Sequence, residues 1–292
     1  MIRSRSYQYP LLQRVFSLLV VLLCFSGAAI HASSAVEQII SLKGMPSFTQ
    51  RHHALHKLTA SQLGTGADQF IDFMRAQRVP ENMRPVDYMS LVNDSFNLMV
   101  KHDIRAEELL KLIVSVIPNA SADEVWRDYA VQKLGYTLDR IDISKESLEA
   151  GFVMLERAMK GDFSRVQGTA LIVALKLSDA CGDAYPFLKK SALGQSALIC
   201  AQNSDAVLID RVTALQVAGL CDSPGALDYS RSILLRKNTK TAESMLFISA
   251  IAVLGERGTS EDLILLNKHR LSPDIRIRSA TTSAISKIRA AN

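Results

Sequence analysis

Three histidines near residue 50 carry the pattern in this 292-residue chain most suggestive of chemistry. His52 and His56 are four apart, so on a helix both imidazoles project from one face, the geometry that two metal ligands need. A zinc-protease motif would place glutamate directly after the first histidine; His53 stands there, so the general base is missing, and spacing identifies no third ligand. The competing reading is a solvated face of the first helix. Gly194, Gln195 and Ser196 begin like a nucleophile elbow, but Leu198 occupies the place of its second glycine. Gly64 and Gly66 flank Thr65 with no preceding strand, which predicts a loop and not a phosphate cradle. Glu107 with Glu108, and Glu146 with Glu149, fall on outer helix faces, whereas paired acid–base work needs one carboxyl buried. No catalytic residue is assigned, no cofactor is called for, and a binding protein is favoured over an enzyme.

The elements that must position these residues are helices. Hydrophobic content is 48% but aromatic content only 6%, which suits close-packed helices better than strands. Glycine and proline are sparse and sit between periodic segments, so the chain reads as all-α.

Residues 1–35 are set apart as a signal peptide. Arg3, Arg5 and Arg14 form a charged start, Val15 to Phe25 an apolar stretch too short to span a bilayer, and small residues up to Ala35 a cleavage region. Cleavage fits after Ala35 or after Ala29. A lipoprotein reading at Cys24 is disfavoured, because Leu22 and Leu23 are too large; an uncleaved membrane anchor is the alternative. Residues 36–46 read as a linker or capping helix, and residues 47–292 as one domain with no membrane-spanning run. Removing three arginines and no acid lowers the net charge from +5 to +2. The excess of base is therefore poor grounds for a nucleic-acid partner. The expected location is periplasmic or secreted.

A repeat is visible. The small or apolar anchors Ala54, Phe96, Ala130, Ala170, Ala214, Phe247 and Ala280 are separated by 42, 34, 40, 44, 33 and 33 residues, close to the period of helical-pair repeats. Arg51, Arg127 and Arg211 stand three residues before their anchors and Arg278 two before, where they are expected to bond neighbouring carboxylates or helix-end carbonyls. Second helices are predicted over 67–78, 105–117, 144–160, 183–193, 224–237 and 260–270. Gly194 is expected to break the fourth, leaving 194–205 irregular. The single tryptophan, Trp126, reads as a packing residue.

The stretch Ser272 to Ile288 has Pro273 and Asp274 opening a helix, then Ile277, Ala280, Ala284, Ile285 and Ile288 on one stripe. It resembles the first helix of a HEAT-like repeat; Asp210 to Leu220 resembles it less closely. The resemblance is to HEAT repeats as a class, including the HEAT-like type of phycobilisome lyases. It implies an α-solenoid of about six to seven repeats, second helices on a concave side, and a binding role without chemistry of its own. The last helix, ending at Asn292, reads as a half repeat that caps the stack.

Partner-binding candidates follow from charge. Residues 36–182 carry a net −2 and residues 183–292 a net +4. Lys189, Lys190, Arg231, Arg236, Lys237, Lys240, Lys268 and Arg270 lie in or just after second helices. They form either a basic groove for an acidic protein partner or an ordinary solvated face. Cys181, Cys200 and Cys221 read either as core residues or as containing one disulfide, with Cys181 and Cys221, after first helices of neighbouring repeats, the named candidates. The functional expectation is an exported scaffold that binds a protein. The alternatives are a metal-dependent hydrolase or lyase-like enzyme on the same frame, and an envelope structural protein. Oligomeric state is not legible.

Overall fold

The computed structural model describes residues 35–41, 45, 47–77, 79, 83–140, 143–236 and 243–291. The signal-peptide reading, Cys24, Lys237 and Lys240 lie outside them. Every regular element among the described residues is a helix. They divide into two compact units, one ending at Leu109 and the other starting at Leu110. None of the helices is long and apolar enough to cross a membrane.

The first unit holds α1 (35–40), α2 (Phe48–Leu55), α3 (Ala60–Thr65), α4 (Ala67–Ala76), α5 (Pro85–Lys101) and the start of α6 (Ala106–Val116). Local chemistry sets the ends. The Ser47 hydroxyl accepts the Gln50 amide at the start of α2, and Thr59 and Gln62 cap α3 reciprocally. Pro85 opens α5, where a missing N–H costs nothing. Gly64 lies inside α3, not in the loop expected there, and Gly66 joins α3 to α4 where a Cβ would come 2.5 Å from Val36. The core gathers Val36, Ile39, Leu55, Leu63, Phe70, Met74, Tyr88, Leu91 and Phe96. The Tyr88 hydroxyl donates to the Phe73 carbonyl (3.0 Å), and burial pushes its pKa upward.

The second unit continues with α7 (Glu124–Leu138), α8 (Lys145–Met159), α9 (Gln167–Cys181), a 3-10 turn (Pro186–Leu188), α10 (Lys190–Gln202), α11 (Leu208–Leu220), α12 (Pro224–Leu234), α13 (Ser244–Arg257), α14 (Asp262–Asn267) and α15 (Ile275–Ala291). The odd-numbered helices pack in succession, α7 on α9, α9 on α11, α11 on α13 and α13 on α15. Each even-numbered helix from α8 onward packs on the odd one that follows it.

Close approach along this row rests on missing side chains. A Cβ on Gly135 of α7 would come 2.8 Å from Val173 of α9. One on Gly219 of α11 would meet Val253 of α13 at 2.8 Å, and one on Gly255 of α13 would meet Ala284 of α15 at 2.9 Å. Ala284 is thus the small residue that admits a neighbour, as its stripe suggested, whereas Ala280 is only half-buried. At the junction of α9 and α11 the arrangement is polar. Gly168 donates its N–H to the Asp210 carboxylate (3.0 Å), so a residue of α11 caps the start of α9, which lacks a capping side chain of its own. Burial pushes the Asp210 pKa up.

Gly194 corrects the expectation of a break. Helix α10 runs through it to Gln202, and the predicted helix over 183–193 is reduced to the 3-10 turn plus the first residues of α10. A Cβ on Gly194 would come 2.9 Å from Cys221 and 3.2 Å from Ser223. The glycine is there for helix contact, which overrides its weak helix propensity.

Arg51, Arg127 and Arg211 share one structural role, whereas Arg278 bonds carbonyls of the turn before its own helix. Arg127 Nε donates to the Ile117 carbonyl (2.9 Å) and Arg211 Nε to the Ala201 carbonyl (3.2 Å), each ten residues back at the end of the preceding helix. Arg278 reaches Ser272 O (2.6 Å) and Pro273 O (3.1 Å). In the first unit Arg51 donates to Ser41 O (2.8 Å), again ten residues back, and to Ile39 O (2.7 Å) and Met45 O (2.9 Å). A cation among the unpaired carbonyls of a helix C-terminus satisfies them and meets the negative end of the dipole. Carbonyls, not carboxylates, are the partners these bonds show.

Candidate functional site

The phase of α2 is set by the two residues it buries, Arg51 and Leu55. At about 100° per residue, His52 and His56 then fall together on the flank of that buried edge. Helix α5 packs against α2. It buries Ser95 and Phe96, which puts Asp94 at the margin of the contact. Its Oδ2 lies 3.1 Å from His52 Nε2 and 3.7 Å from His56 Nε2. The histidine side chains are 43% and 45% exposed and the aspartate 23%, so solvent reaches the cluster from one side. The imidazole centroids are 4.4 Å apart. One ligand atom from each of the three residues lies within 4.8 Å of the others. His53 is exposed and outside the group. Asp94 is the residue that sequence reasoning missed, since nothing within a helical turn of it points to histidines some forty residues earlier.

The basic residues of the second unit are not equivalent. Arg231 is committed to structure. Its guanidinium forms two bonds to Asp262 (2.8 and 3.0 Å) and one to Asp228 (3.0 Å), joining α12 to α14. Asp262 is only 5% exposed and Arg231 34%. The guanidinium holds the Asp262 carboxyl below the usual carboxylate range, and Asp262 raises the Arg231 pKa in turn. Lys190 pairs with Asp179 (3.0 Å) on the surface. Lys189, Arg236, Lys268 and Arg270 are exposed. Arg270 edges a shallow groove with Ile275, Arg278, Ser279, Thr282 and Ser286. The outward side of α15 is thus hydroxyl-rich.

The even-numbered helices share a second property. Val153 on α8, Ile199 on α10, Leu235 at the end of α12 and Ile264 on α14 are large aliphatics exposed to solvent, as are Val125, Ile172, Ile209, Leu220 and Ile275 on the odd-numbered helices.

The remaining candidates are quiet. Cys181, Cys200 and Cys221 are free thiols, so the pairing of Cys181 with Cys221 is not formed. Cys181 lies near Asp139 and Tyr185, while Cys221 faces Gly194 and Lys190. Burial pushes the Cys200 thiol up to about 12, away from thiolate reactivity. Trp126 is fully buried. Ser196 lies within α10, so no elbow forms there. Glu146 and Glu149 are exposed.

No model of a protein family matches the chain, and no curated protein matches it.

Proposed function

We propose that the chain is an exported scaffold of HEAT-like helical pairs that binds a protein along its even-numbered helices. The observation that carries this reading is the second unit's packing. Each odd-numbered helix rests on the next, each even-numbered helix from α8 onward packs mainly on the odd one that follows it, and the exposed surface of these even-numbered helices bears large aliphatics. Stacked helical pairs bury a core only through their neighbours, and they bind with extended surfaces. Val153, Ile199, Leu235 and Ile264 supply apolar area, and Lys189, Arg236, Lys268 and Arg270 supply positive charge. An acidic segment with apolar side chains is the complementary partner. Arg231 is excluded from that role because it is spent on Asp262.

The export reading is supported by the order of charged, apolar and small residues in 1–35. N-terminal sequencing of protein recovered from the periplasm or medium is expected to start at Val36 or Ile30; a chain retaining residues 1–35 would refute cleavage. Affinity capture from the native envelope tests the surface. Ile199→Asp with Leu235→Asp and Ile264→Asp, and separately Arg236→Glu with Lys237→Glu, are expected to lose the protein that the parent captures while keeping its helical circular dichroism. Equal capture by both variants removes this face from the reading.

A further inference from the structure

We propose that His52, His56 and Asp94 form a binding site for a divalent transition ion, with zinc the expected cation. It is independent of the scaffold reading, since it uses none of the residues assigned to partner binding. The donor set is the first argument. Two imidazole nitrogens and a carboxylate oxygen form the borderline nitrogen–oxygen set that zinc accepts, whereas calcium and magnesium prefer oxygen alone.

Geometry is the second argument. Around a tetrahedral zinc with bonds of about 2.0–2.2 Å, ligand atoms lie roughly 3.3–3.6 Å apart. The two distances to Asp94 Oδ2, 3.1 and 3.7 Å, bracket that spacing. The i,i+4 spacing on α2 keeps the imidazoles side by side with their centroids 4.4 Å apart. The third spacing, between the imidazoles, lies within the 4.8 Å that spans all three ligand atoms, so closing on an ion takes at most roughly 1.5 Å of side-chain adjustment.

Placement is the third. The ligands come from two helices that already pack together, each with buried residues of its own, Leu55 on α2 and Phe96 on α5, so their relative position does not depend on the site itself. A bound ion pins α2 to α5. Three protein ligands and an open, solvent-facing side leave a position for water, the coordination typical of a non-structural zinc site. His53, on a different flank, takes no part.

The test uses the untagged mature chain, stripped of metal, titrated with zinc alone by calorimetry and with cobalt(II) by visible absorption. One equivalent of zinc is expected to bind, cobalt is expected to give the d–d bands of a low-coordinate nitrogen–oxygen site, and zinc is expected to raise the thermal midpoint. His52→Ala, His56→Ala and Asp94→Asn are each expected to weaken zinc by at least about tenfold and to abolish the thermal shift, with His53→Ala unchanged. Failure to bind zinc saturably overturns the proposal. So does a loss on His53→Ala equal to that on His52→Ala, or full affinity in Asp94→Asn. Circular dichroism of each metal-free variant separates lost ligation from lost folding.

Discussion

The two units solve one problem at different scales. Each must satisfy carbonyls at the end of a helix that the next helix covers. In the second unit the task is shared: Arg127 and Arg211 bond carbonyls at an identical separation, and each is followed eight residues on by the glycine, Gly135 or Gly219, that admits the next helix. In the first unit Arg51 reaches carbonyls of Ile39, Ser41 and Met45 and is wholly buried, with its pKa lowered by that burial. Where an arrangement recurs, each copy carries little; where it stands alone, one side chain closes a whole turn of chain.

That contrast is open to breakage. Arg51→Ala is expected to have the largest effect, about 4 kcal/mol by chemical denaturation, because several buried carbonyls lose their donor at once. Arg211→Ala, which uncovers fewer, should cost nearer 1 kcal/mol. Equal losses would end the comparison. Next comes Arg231→Ala, about 2–3 kcal/mol after discounting for the partial exposure of Arg231, since it leaves the Asp262 carboxylate buried and unpaired. This pair also has a pH signature. The folded-state pKa of Asp262 lies below its unfolded value, so its contribution is complete above about pH 4 and drains away as pH falls through the lower folded-state value. Stability measured from pH 5 downward should fall less steeply in Arg231→Ala than in the parent; parallel curves would remove the pair as the cause.

The smallest effects sharpen the comparison by sign. Gly255→Ala in α13 is expected to cost about 1–2 kcal/mol despite better helix propensity, because the new methyl meets the Ala284 backbone. Gly64→Ala in α3 meets nothing within 4 Å and is expected to stabilise by about 0.5–1 kcal/mol. A gain at Gly255 would mean that the row of odd-numbered helices is looser than its distances indicate.

The helices were largely legible, and so were the buried anchors Phe96, Ala130, Ala170, Ala214 and Phe247, because apolar spacing along a helix is a local signal. The role of the arginines was half legible: their spacing marked them, but only the fold chose carbonyls over carboxylates. Gly194 was misread as a break because its reason, Cys221 on another helix, lies outside any local window. Two of the three ligands of the candidate metal site were legible, His52 and His56. Arg231, grouped with the basic series by charge, has its partner Asp262 thirty-one residues away, beyond any local pattern.

By itself the sequence determined most of the helices and the apolar face of each, since these depend on neighbours three or four positions apart. Tertiary structure alone decided which polar atoms meet across helices: Asp94 with two imidazoles, Asp262 with Arg231, Asp210 with the start of α9. Such meetings depend on the rotational phase at which two helices pack. That phase is fixed by the sum of many side-chain contacts, and no short pattern records it.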